Sequence, residues 1–63
     1  MKYTKGDLIR YNVNQGPPQI CLVIEFLDNR KYGNYIVLDF QDNQRKKYYA
    51  PFVEDPTSWV KIG

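Results

Sequence analysis

The 63-residue chain contains no histidine, a single cysteine at Cys21 and a single serine at Ser58. These shortages remove whole classes of chemistry. Neither a Ser-His-Asp nor a Cys-His arrangement can be assembled, thiolate–imidazole zinc sites lack their ligands, and one cysteine cannot close an internal disulfide. Long apolar runs are missing too. None approaches the roughly 18 residues of a membrane span, and Met1-Lys2-Tyr3-Thr4-Lys5 has no apolar segment behind it of the signal-peptide kind. The chain is therefore expected in the cytoplasm of its host, or in an assembly built there, with no membrane partner. Charge of one sign is also scarce: nine basic against seven acidic residues leave a net charge of +2. That balance does not by itself call for nucleic acid.

The carboxylates offer little more. Asp7, Glu25, Asp28, Asp39, Asp42, Glu54 and Asp55 sit mostly in turn-like sequence, where Asp favours local hydrogen bonding over paired acid–base work. Asp39-Phe40-Gln41-Asp42-Asn43 lacks the alternating oxygen ligands and central glycine of a calcium loop. The sequence thus names no catalytic residue, no metal and no cofactor, and the expectation is a protein that is not an enzyme.

What the chain does have is a hairpin. Ile20-Cys21-Leu22-Val23-Ile24-Glu25-Phe26-Leu27 is an apolar run bounded by Pro18 and Asp28-Asn29, and Tyr35-Ile36-Val37-Leu38-Asp39-Phe40 alternates at period two. Side chains alternate across a strand, so Ile20, Leu22, Ile24 and Phe26 share one face, and Cys21, Val23, Glu25 and Leu27 the other. Both faces are largely apolar, as in a strand lying between layers. In the second run Ile36, Leu38 and Phe40 oppose Tyr35, Val37 and Asp39. This alternation predicts a core of Leu22, Ile24, Ile36, Leu38, Phe40 and Val60, and a buried, unreactive thiol at Cys21.

Around the hairpin, a turn at Gly6-Asp7 precedes a strand over Asp7 to Asn12. A proline-stiffened loop runs to Pro18, and a second loop spans Asp28 to Asn34. A polar turn at Gln41 to Gln44 leads to a strand over Arg45 to Ala50. Pro51 ends it, Pro51 to Glu54 suit one helical turn, and Trp59 to Ile62 form a last short strand after the turn cluster Asp55 to Ser58. The expected architecture is all-β: one small five-stranded barrel domain over residues 1–63, with at most one short helical turn before the last strand. A chain of this mass buries roughly 60% of its unfolded surface. That burial contributes on the order of 100 kcal/mol against roughly 95 kcal/mol of conformational entropy, so a partner surface would add needed stability.

Gly6-Asp7-Leu8-Ile9-Arg10, Cys21-Leu22-Val23-Ile24-Glu25 and Tyr35-Ile36-Val37-Leu38, followed by a short closing strand after a one-turn element, resemble SH3-like barrels. In particular the chain is similar to small SH3-like proteins of tailed bacteriophages, in which a start like Lys5-Gly6-Asp7-Leu8-Ile9 precedes a strand of the Leu22-Val23-Ile24-Glu25 type. That resemblance implies a non-enzymatic viral protein that docks on a virion head, neck or tail through protein–protein interaction. Two departures stand out: Cys21 occupies a position where glycine is usual, and nothing matches the Ala-Leu-Tyr-Asp-Tyr run of signalling SH3 domains, so a proline-peptide groove is not implied.

Two surfaces are candidates for binding. Six of the chain's residues are tyrosine, and aromatic side chains are enriched at the energetic centres of interfaces. Tyr11, Tyr32, Tyr35, Tyr49, Phe52 and Trp59 are accordingly the candidate protein-docking residues. No acidic residue is tied to these aromatics in the sequence, so wall packing is preferred to a methyl-cation cage. The alternative is Arg45-Lys46-Lys47-Tyr48-Tyr49, whose mixture of cations and rings suits phosphates and stacked bases in a nucleic-acid-binding or transcription-related barrel. Its charges would split across the two faces of a strand, which also fits the plainer role of protecting a sheet edge.

Overall fold

The computed structural model describes residues 1–13, 15–29 and 31–63; Asn14 and Arg30, in the two expected loops, lie outside the described residues. Five strands form one antiparallel sheet: β1 (Leu8–Tyr11), β2 (Gln19–Leu27), β3 (Asn34–Asp39), β4 (Gln44–Tyr49) and β5 (Trp59–Lys61), with a single turn of helix, α1 (Ala50–Val53), between β4 and β5. The sheet order is β4-β3-β2-β1-β5. This is the expected small all-β, SH3-like arrangement, with its helical turn before the last strand.

Local chemistry sets the boundaries. Gly6 has φ +96°, the left-handed conformation that the turn into β1 requires. Asn43, at φ +57°, closes the tight β3–β4 turn, a role that Asn fills because its short polar side chain tolerates that region. Between β2 and β3, the Asn29 side-chain oxygen accepts from the amides of Lys31, Tyr32 and Gly33 at 3.1–3.2 Å. Gly33, at φ +113°, is strained by any side chain, because a Cβ there would clash with the Phe26 ring and lie 3.0 Å from the Leu27 carbonyl. Asp55 shapes the turn after α1, accepting from the amide and hydroxyl of Thr57 and the hydroxyl of Ser58. Those bonds, led by the Thr57 amide, hold its carboxyl below the usual range.

The core lies on the face opposite to the one the alternation predicts. Tyr3, Ile9, Cys21, Val23, Tyr35, Val37, Ala50, Val53 and Trp59 are buried, joined by the charged residue Asp39. Leu22, Ile24, Ile36, Leu38 and Val60 are only half-buried, and Phe40 is exposed. The six expected core residues are thus corrected to the outer face. The reason is the polar tips. Tyr35 and Asp39 looked solvent-facing, yet each finds partners inside, which removes the cost of burying them. The Tyr35 hydroxyl donates to the Glu54 carboxylate and accepts from the backbone amides of Lys2 and Tyr3 at 3.0 and 3.2 Å. Asp39 accepts from Lys46 Nζ at 2.8 Å, Gln19 Nε2 at 2.9 Å and the Gln41 amide at 2.9 Å.

A bulge completes the reassignment. The register runs Val23↔Val37 and then Glu25↔Ile36, so Ile24 is an extra residue in β2. Beyond it the parity flips: Phe26 falls opposite Tyr35, with ring centroids 4.9 Å apart, and packs against the core, while Glu25 turns outward. The bulge therefore separates Phe26 from Ile20 and Leu22, with which simple alternation had grouped it.

Candidate docking surface

The six candidate docking residues divide between core and surface. Tyr35 is 0% exposed and Trp59 1% exposed, so neither presents a docking area. Tyr32 and Tyr49 are 53% and 49% exposed and meet edge to face at 5.4 Å. Tyr11, half-buried, and Phe52, exposed, form the outer part of a second group, with ring centroids 5.8 Å apart. Beneath them Trp59 lies 5.0 Å from Tyr11 and 5.8 Å from both Tyr48 and Phe52, and its indole N–H has no hydrogen-bond partner among the described residues. The aromatics are thus mainly wall, with two exposed edges, and they line no shared cage.

The basic segment divides as its parity requires. Lys46 and Tyr48 pair with Val37 and Tyr35 of the inner face, whereas Arg45, Lys47 and Tyr49 pair with Leu38, Ile36 and Asn34 on the outer face. Lys46 is committed to structure: its ammonium sits 2.8 Å from Asp39 and 2.9 Å from Asp42. Those contacts, the Asp39 hydrogen bond first, raise its pKa above the ordinary lysine value. Burial pushes the Asp39 carboxyl up, but the Lys46 and Gln41 bonds outweigh it and hold the group below the usual carboxylate range. Gln19 bridges Asp39 to the Tyr48 hydroxyl, 3.2 Å away, so Tyr48 belongs to the same network. Of the five residues in the nucleic-acid alternative, only Arg45, Lys47 and Tyr49 present their side chains outward.

Searches for relatives are negative: no family model, no curated protein and no solved structure matches the chain. The site is therefore read from its own geometry.

That geometry singles out the outer face of the sheet. Leu8, Leu22 and Leu38 lie side by side across β1, β2 and β3, ending at Arg45 on β4. A parallel row runs Val60, Arg10, Ile20, with Phe40 beside Ile20 through a 3.0 Å backbone hydrogen bond. A third row holds Lys47, Ile36 and Glu25. The Tyr32–Tyr49 pair borders this third row at the Asn34 end of β3. The elements outside the sheet, α1 and the N-terminal segment, place Ala50, Val53 and Tyr3 in the inner core. Leu8, Ile20, Leu22, Ile36, Leu38 and Val60 of the outer rows are left half-buried and outside that core. Sequence reading assigned Leu22, Ile36, Leu38, Phe40 and Val60 among them to the core; the signal that they form a surface was the apolar character of both faces of β2.

Cys21 is fully buried on the inner face, and burial followed by the neighbouring Asp39 charge pushes its thiol up to about 12. A thiol held so far from its thiolate is a packing residue. Among the described residues no group of three His, Cys, Asp or Glu side chains is arranged to hold a metal ion. Nor, among the described residues, is any helix long and apolar enough to cross a membrane.

Proposed function

We propose that this protein is a non-enzymatic docking module that attaches to a larger protein assembly. On its resemblance to the SH3-like proteins of tailed bacteriophages, the assembly is a virion head, neck or tail. The observation that carries the reading is the outer sheet face. A soluble antiparallel sheet normally turns a polar face to water, and a contiguous apolar face rimmed by charge marks an interaction surface. Here the apolar rows cross three strands, with Tyr32 and Tyr49 exposed at one border. Lys46, tied into the Asp39–Asp42 network, is withdrawn from the cation cluster on which the nucleic-acid alternative depends.

Mass spectrometry of purified particles from the source host, beside agarose electrophoresis with single- and double-stranded nucleic acid, tests this reading. The expected result is the chain in fixed proportion to a structural protein of the particle and no retardation of nucleic acid. Salt-sensitive retardation with no particle-bound chain would replace the docking module with the nucleic-acid reading.

A further inference from the structure

The charges on the outer face indicate what covers it. Its cations stand on two sides of the apolar centre: Arg45 and Lys47 on β4, and Arg10 on β1 between Ile20 and Val60. None of the three forms an ion pair among the described residues, where the only salt bridges are Lys46 to Asp39 and Asp42, and Lys61 to Asp7. Among the described residues of these rows the one carboxylate is Glu25, beside Ile36. From β4 to β1 is three strand spacings, roughly 14 Å. An α-helix with its side chains is about 10 to 12 Å across, so one helix laid along β3 and β2 fits between the two cationic borders.

A second copy of this chain fits badly. A two-fold axis along the leucine row sets Arg45 against its own symmetry mate, and one along the strands sets the β4 cations over β1, which carries Arg10. Like charges facing each other across an interface oppose association.

We propose that the outer face receives an amphipathic helix of a partner protein whose apolar stripe is flanked on both sides by carboxylates. Leu22, Leu38 and Ile36 take the stripe, while Arg45, Lys47 and Arg10 meet the flanking acids. This rests on the docking-module reading and specifies the partner's chemistry.

The test uses the full chain and three synthetic helical peptides that share a leucine stripe and differ only in flanks of Glu, Gln or Lys, with binding followed by fluorescence anisotropy. The Glu peptide is expected to bind at least roughly tenfold more tightly than the Gln peptide, with the Lys peptide weakest and the preference shrinking as salt rises. The surface double variant Arg45→Glu/Lys47→Glu, which removes no buried group, should abolish or invert the order, and Leu38→Gln should weaken all three peptides. Equal affinities, or failure of the Glu peptide to bind, overturn the proposal, as does self-association of the chain in sedimentation equilibrium. Binding that ignores Leu38→Gln but is lost on Phe52→Ala moves the docking face to the Tyr11–Phe52 edge and leaves the docking module standing. Loss of all peptide binding together with retention of single-stranded DNA overturns both.

Discussion

On β3, Tyr35, Val37 and Asp39 are fully buried, while Ile36 and Leu38, one position away, are only half-buried. The residues left outside are the greasier set, and those taken inside include a phenol and a carboxylate. What separates the faces is closure. The inner face is covered by α1 and the N-terminal segment, and its principal polar groups meet partners: Tyr35 with Glu54 and two amides, Asp39 with Lys46 and Gln19. The outer face has half-buried apolar residues and cations at its rim, and among the described residues none of its members belongs to the inner core. Hydrophobicity marks both as places to be covered, but only partners for the polar tips decide which one the chain covers itself.

Substitutions on the two faces should therefore differ sharply. The largest effect is expected at Trp59, which anchors the inner face against Tyr11, Tyr48 and Phe52. Trp59→Ala should cost about 3 to 5 kcal/mol in urea unfolding, enough to unfold much of a domain this small. Leu38→Ala on the outer face should cost well under that, about 1 kcal/mol or less, because the truncated side chain already meets water. Equal losses would erase the distinction between the faces.

Gly33→Ala comes next. The backbone there is left-handed and the added carbon meets the Phe26 ring and the Leu27 carbonyl, so a loss of about 1 to 3 kcal/mol is expected by thermal or chemical unfolding. A silent substitution would mean that the β2–β3 loop does not hold Phe26 against Tyr35.

The closure of the inner face also fixes its response to pH. Burial raises the Glu54 carboxyl, but the Tyr35 hydroxyl and the Lys2 amide outweigh that and hold it below the ordinary glutamate value of 4.5. A carboxyl whose folded pKa is depressed stabilises the fold above its unfolded pKa, and this is lost as pH falls through the folded value. Stability should thus decline below about pH 4.5. Tyr35 behaves oppositely. Burial, and then the bond to Glu54, raise its pKa above 10.0, so its contribution is full below that value and is lost as pH climbs through the folded one. Glu54→Gln should remove its share of the acid limb of the stability profile, leaving that of Asp39 and Asp55, and Tyr35→Phe should remove its share of the alkaline limb. A profile unchanged in both variants would show that the network carries no linkage.

The smallest effect is kinetic and leaves stability untouched. Cys21 should react with a thiol reagent only as fast as the protein opens, and rapidly once it is denatured. Fast labelling of the native protein would place the Cys21 side of β2 at the surface and reverse the two faces.

The strands were legible in the sequence because period-two alternation, Pro51 and the turn residues at Gly6, Asn43 and Asp55 each act locally. The unreactive setting of Cys21 was legible for the same reason: it lies in an apolar run in a chain without histidine. The core face was not, since Ile36 and Leu38 alternate with Tyr35 and Val37, and a sequence does not show that Glu54 and the Lys2 amide wait for the Tyr35 hydroxyl 19 and 33 positions away. The bulge at Ile24 was hidden by the continuous apolar run that contains it. For the site, Tyr32, Tyr49 and Phe52 were among the aromatics picked out, but so were Tyr35 and Trp59, which are buried, and the apolar outer rows could not be found because most of their residues are the natural choice for a core.

The most direct measurement places an aspartate on each face in turn. Val37→Asp and Leu38→Asp differ by one position, and circular dichroism with amide NMR dispersion reports whether each variant folds. Leu38→Asp should keep the native sheet, and Val37→Asp, burying an unpaired charge, should be unfolded. A folded Val37→Asp beside an unfolded Leu38→Asp would contradict the assignment of core and docking face alike.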